Sequence, residues 1–222
     1  MTDPMVTPQA LRTRLRVEAL SGVAWLPMTP APAGTQSQPT TLAEWAQAAA
    51  VCRDCRLCDG RRTVVFGEGD PAARLMFVGE GPGAEEDLQG RPFVGPAGGL
   101  LTKMIQALKL TREQAYIANT VKCRPPNNRP PQPDELAACR RYLDAQLALI
   151  RPRVVCALGR TAANALLNTE QPLGALRGRP HAVGGIPVIV TYHPAHLLRH
   201  PEAKRDAWTD LQQLFPYLKD GS

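Results

Sequence analysis

Residues 75–87, LMFVGEGPGAEED, decide how this chain folds. The first five are an unbroken apolar run closing on glycine, the pattern of a strand buried on both faces, Leu75–Gly79. Gly79, Gly81 and Gly83 then surround Glu80 and Pro82, which predicts a tight turn with close backbone approach. Glu85, Glu86 and Asp87 follow, and acids there favour a helix start because they meet its positive end. The glycines loosely resemble a phosphate loop. No GK[ST] ending follows, however, and the dinucleotide pattern is not met, so the turn alone assigns no chemistry.

The same alternation continues along the chain. Gly98–Leu108 reads as a helix and Ala115–Asn119 (AYIAN) as a second strand. Pro133–Leu149 reads as a long helix, with proline at its start and Asp134 and Glu135 in its first turn. Val154–Leu158 is a third strand, Arg160–Leu167 a helix, Ile186–Thr191 a fourth strand and Glu202–Tyr217 a closing helix. Strand–helix alternation predicts an α/β fold with a parallel sheet and helices on both faces. Sites in such folds sit beyond the carboxyl ends of the strands. The first strand empties into residues 79–87, the second into Asn119–Cys123 and the fourth into Tyr192–Leu197. These three polar loops are expected to meet at one rim.

Residues 1–41 read as an extension, with a helix-compatible stretch near Gln9–Leu20 and a Pro/Thr/Gln-rich linker over Met28–Thr40. Thr41 is placed to cap a helix from Leu42 toward Val51. A globular domain over 42–218 and a tail at 219–222 complete the expected organisation.

Cys52 and Cys55 form a C-x2-C pair, and Cys123 and Cys139 follow far downstream. Clips so far apart need one shared object, and thiolates bind soft metals. No secretory signal and no membrane-length apolar run is present. A reducing, cytoplasmic setting is therefore expected, where this spacing favours metal over disulfide. Cys58 competes as a ligand, and Cys156, inside VVCAL, reads as core. The net charge of +6 lies wholly in residues 51–222, because Arg12, Arg14 and Arg16 balance Asp3, Glu18 and Glu44 in the first fifty. Such an excess favours a polyanionic partner or is simply a solvated basic surface.

His193 follows an apolar strand and precedes Pro194, a position from which an imidazole donates to an anion or merely bonds a carbonyl. Asn119 ends a strand; its amide can pair with a base edge carrying adjacent N–H and C=O groups, although asparagine is also a common turn residue. Phe93 can stack on a planar ligand or fill the core. His196 and His200 read as surface residues near Arg199, Lys204 and Arg205.

Together, CRDCRLC, GEGPGAEED, GRPFVGPAG, NTVKCRPPNNRPP, Cys139 and HPAHLL resemble the family 4 (iron–sulfur) uracil-DNA glycosylases over roughly Thr41–Leu218. The resemblance implies a three-layer α/β/α sandwich around a four-stranded parallel sheet. It implies a monofunctional, monomeric enzyme that hydrolyses uracil from double- or single-stranded DNA, in a bacterial or archaeal nucleoid. A [4Fe–4S] cluster would be held by Cys52, Cys55, Cys123 and Cys139. Glu80 and Gly81 would place the attacking water, and His193 would stabilise the leaving base. Glu86, Phe93, Asn119 and Asn128 would bind uracil. Leu197 would enter the base stack, with Arg199 on the DNA. Cys58 is extra to the pattern, and residues 1–40 have no counterpart and no assigned partner. A redox-sensing DNA-binding module and a zinc-bound fold are the competing readings. A variant that traps uracil covalently through a histidine is disfavoured, because KCRPPNNRPP contains none.

Overall fold

A computed structural model describes residues 38–219. The stretch near Gln9–Leu20, the linker up to residue 37 and residues 220–222 lie outside the described residues. Six strands form one sheet: β1 (Glu68–Gly69), β2 (Leu75–Gly79), β3 (Tyr116–Asn119), β4 (Val154–Leu158), β5 (His181–Val183) and β6 (Ile186–Thr191). Their spatial order is β1-β3-β2-β4-β6-β5. The four expected strands form the parallel centre, β3-β2-β4-β6. The expected four-stranded parallel sheet is thus the centre of a six-stranded mixed one. β1 and β5 add antiparallel edges, and their short, half-exposed segments carry no apolar run to announce them.

Side-chain alternation divides the core into two layers. Leu75, Phe77, Cys156, Leu158 and Ile189 face α4 (Pro96–Ala107), α8 (Pro194–Arg199) and α9 (Lys204–Gln212). Met76, Val78, Val155, Ala157 and Val190 face α5 (Pro133–Ile150) and α6 (Arg160–Leu167). Cys156 lies at the centre of the first layer, fully buried, with its thiol pushed upward by burial.

Local chemistry fixes the helix ends. Thr41 and Glu44 close a capping box at α1 (Leu42–Ala50). Gln132 and Glu135 do the same for α5, whose first residue is Pro133. The expected Glu202–Tyr217 helix is interrupted: a 3₁₀ turn over Pro201–Ala203 precedes α9, and α10 (Phe215–Leu218) is separate. Proline at 216 lacks the N–H that would bond back into a continuous helix. Among the described residues no helix is long and apolar enough to cross a membrane.

The register aligns the strand exits. Gly79 pairs with Asn119, Val78 with Ala157, and Leu158 with Thr191. The chain therefore leaves β3, β2, β4 and β6 at one level, and four loops share a single rim.

Candidate active site and cysteine centre

A cleft of about 600 Å³ opens at that rim. Glu80, Gly81, Glu86, Phe93, Asn119, Asn128, His193 and Arg199 all line it.

Asn119, at the end of β3, is 1% exposed, and its Oδ1 has no hydrogen-bond partner. A buried acceptor left unpaired costs about 1–3 kcal/mol, which a ligand N–H recovers. Gly79 lies against it: a Cβ there would stand 2.5 Å from Asn119 Oδ1 and 2.5 Å from Phe93 Cζ. Phe93 itself sits at φ 52° in the left-handed region. Its loop folds onto α4, where a Cβ on Gly98 would meet the Phe93 carbonyl oxygen at 1.8 Å. That contact requires glycine at 98.

His193 caps α8. Its Nδ1 accepts from the Ala195 N–H at 3.2 Å, so the neutral ring carries its proton on Nε2. The Phe93 ring lies 5.6 Å away at a 32° tilt. Burial, reinforced by Arg199 and opposed by Glu86, pushes the His193 pKa down to about 4. The imidazole is therefore neutral at pH 7 and is a fixed donor through Nε2.

Glu86 is engaged by the backbone. Its carboxylate accepts from the N–H groups of Gly83 at 3.1 Å, Val94 at 2.9 Å and Gly95 at 3.1 Å. It ties the β2 exit to the loop bearing Phe93. Asn128 sits in the 3₁₀ turn Pro126–Asn128, with its Oδ1 accepting from Arg124 Nε at 2.7 Å. Leu197, expected at the base stack, lies on α8. It is 2% exposed and packs in the core layer with Leu101 and Leu211. Because α8 begins at Pro194, its phase turns Leu197 inward and leaves Leu198 45% exposed.

Three lining residues were not singled out from the sequence, Thr161, Arg160 and Arg129, and His196, read as a surface residue, lines the cleft as well. Arg129 is held at the rim by a two-pronged pair with buried Glu135, at 2.8 and 2.6 Å. Thr161 donates to Glu80 Oε2 at 2.5 Å.

The cysteines occupy a separate corner. Cys52, Cys55, Cys58, Cys123 and Cys139 border one small void of about 10 Å³, and all are free thiols. Among the described residues no three His, Cys, Asp or Glu side chains converge as for a single ion. The donor set is nonetheless suited to an iron–sulfur cluster. It offers several thiols on one cavity, and donors already address the sulfurs. Arg61 Nη1 reaches Cys123 Sγ at 3.2 Å, the Lys122 N–H reaches Cys139 Sγ at 3.3 Å, and Arg141 Nη2 reaches Cys52 Sγ at 3.7 Å. Burial raises the thiols of Cys55 and Cys123 and lifts that of Cys139 to about 11. A metal's positive charge offsets that penalty.

Lys122 joins the two sites. It is 1% exposed, and its Nζ donates to the Asn119 carbonyl at 2.8 Å and to Gln146 Oε1 at 2.7 Å. Burial pushes its pKa down to about 8.

Residues 66–212 match the family model of the uracil DNA glycosylase superfamily. The chain is 46% identical over 172 residues to the type-4 uracil-DNA glycosylase of Thermotoga maritima, covering 76% of this chain and 90% of that protein. It is 42% identical to the type-4 enzyme of Archaeoglobus fulgidus, covering 73% of this chain and 86% of that protein. Against the type-5 enzyme of Thermus thermophilus the identity is 34%, over 51% of this chain and 67% of that protein. The chain belongs to the uracil DNA glycosylase superfamily, in its type-4 branch.

Proposed function

We propose that this protein excises uracil from DNA by hydrolysing its N-glycosidic bond, giving free uracil and an abasic site. The observation that carries this reading is the orphaned Oδ1 of Asn119 at the base of the cleft, beside the Phe93 ring and the imidazole of His193. A uracil turned out of the helix brings N3–H, the donor this acceptor lacks, while the amide's NH2 donates to O4. Cytosine presents an acceptor at N3 and a donor at the exocyclic amine, so it leaves buried groups unpaired.

The base stacks on Phe93. As the glycosidic bond lengthens, negative charge gathers on the uracil, and His193 donates Nε2–H to its O2. The donor is neutral, so it stabilises the departing anion without surrendering a proton. A preorganised donor in a dry site contributes about 3–4 kcal/mol. Positive charge gathers on the sugar. The Glu80 carboxylate faces it, and the backbone at Gly81 orients the water that adds to C1′. Glu86 acts by fixing the Phe93 loop through three peptide N–H groups. Arg129, Arg160 and Arg199 on the rim meet the phosphates.

The cluster would be held by Cys52, Cys55, Cys123 and Cys139. When bound, it supplies a rigid cross-link between the N-terminal clip, the β3 exit and α5. The Asn119–Cys123 segment transmits that rigidity to the base-reading amide.

The test is uracil release from U:G, U:A and single-stranded oligonucleotides, run beside a visible spectrum. Released uracil and a band near about 400 nm are expected. DNA binding without base release would leave a binding module instead.

A further inference from the structure

Glu80 is held at two levels, backbone and side chain. Its backbone oxygen accepts from Thr120 Oγ1 at 2.5 Å and from the Val121 N–H at 3.3 Å. Both donors belong to the β3 exit. Its side chain is held from the opposite direction: Oε2 accepts from Thr161 Oγ1 at 2.5 Å. Thr161 lies in the first turn of α6, directly beyond β4, the strand paired with β2 on the side away from β3. Oε1 takes no hydrogen bond from any described residue, although both residues line the cleft.

We infer that Thr161 is a positioning residue for excision: its hydroxyl locks one oxygen of Glu80 and thereby presents the other to the water and the sugar. This inference rests on the glycosylase reading above. A free glutamate side chain samples several rotamers, and only some of them face the reacting carbon. A short bond to a β-branched residue, itself stiff at χ1, removes most of that freedom before substrate arrives. Strand order makes this possible. β2 lies between β3 and β4, so the residue leaving β2 is within reach of both neighbouring exits.

The role is separable from fold maintenance. Thr161→Val keeps the shape and removes the donor, whereas Thr161→Ser keeps the donor. Hydrogen bonds to charged groups are strong enough that losing this one is expected to slow single-turnover release by about tenfold or more. The enzyme concentration giving half-maximal rate should stay within about twofold, because Thr161 acts on the reacting group rather than on DNA affinity. Serine should restore most of the rate. In a Glu80→Gln background, Thr161→Val should add little, because the group it positions has already been changed. Thermal melting accompanies every variant, and Thr161→Ala replaces valine if the latter lowers the midpoint.

Full single-turnover rates in folded Thr161→Val and Thr161→Ala would overturn the inference. So would losses that multiply independently with Glu80→Gln. The wild-type assay keeps the two levels apart. If the unaltered protein releases no uracil, the glycosylase reading fails. If it releases uracil and Thr161→Val matches it, only the positioning role fails.

Discussion

The cysteine corner and the cleft share five residues of chain, Asn119–Cys123, yet they are finished in opposite ways. In the corner, donors from Arg61, Arg141 and the Lys122 backbone already address sulfur, and the void is small. In the cleft, a buried acceptor on Asn119 has no partner, and one oxygen of Glu80 takes no bond from a described residue. Acceptors that already have donors mark a permanent mounting. Acceptors kept open under burial mark a place where a ligand completes the bonding and leaves again. Lys122 belongs to both: its peptide N–H meets Cys139 and its ammonium meets the Asn119 carbonyl.

The largest effect expected on this contrast is at the mounting. Cys139→Ala should lose the visible band, the bound iron and the cooperative melting transition together. Full iron content with an unchanged transition would break the distinction from the corner's side. In the cleft, His193→Ala should slow uracil release by about 10²–10³-fold with iron and melting intact. A variant that instead lost its iron would show that the cleft is not independent of the corner. Lys122→Met should register in both regions, lowering the melting midpoint and slowing release by about tenfold, because the Asn119 carbonyl loses a charged donor. Release at the wild-type rate would remove Lys122 as the link.

The central sheet was legible in the sequence because parallel strands buried on both faces are written as apolar runs: Leu75–Gly79, Val154–Leu158 and Ile186–Thr191 appear with the bounds expected. β1 and β5 were not legible, being edge strands of two and three partly exposed residues. The rim loops at Glu80, Asn119 and His193 followed from the rule about strand carboxyl ends. The fourth loop, carrying Arg160 and Thr161, was overlooked because GRTAA reads as an ordinary helix start. Only the placement of β4 between β2 and β6 brings it to the centre of the rim. Leu197 is placed on the DNA by resemblance alone, and the phase of α8 packs it in the core layer. Lys122 belongs to a residue type rarely buried, and it is held in the core because Asn119 and Gln146 provide acceptors there.

The smallest effect is in pH. His193 titrates near 6.5 when unfolded and near 4 when folded. Between those values the unfolded chain binds more protons, so this group makes stability rise with pH up to about 6.5 and adds nothing further above it. Urea midpoints at pH 5 and pH 7 should therefore differ less in His193→Gln than in the wild type. Equal differences would mean that the imidazole is not held neutral by burial.

The most direct test is the single-turnover rate of uracil release by Asn119→Ala against the wild type, measured on one duplex with DNA affinity determined in parallel. A fall of about a hundredfold or more, with affinity for DNA and iron content retained, is the predicted result. Release at the wild-type rate would contradict the account, because the unpaired oxygen at the base of the cleft would then have no part in reading the base.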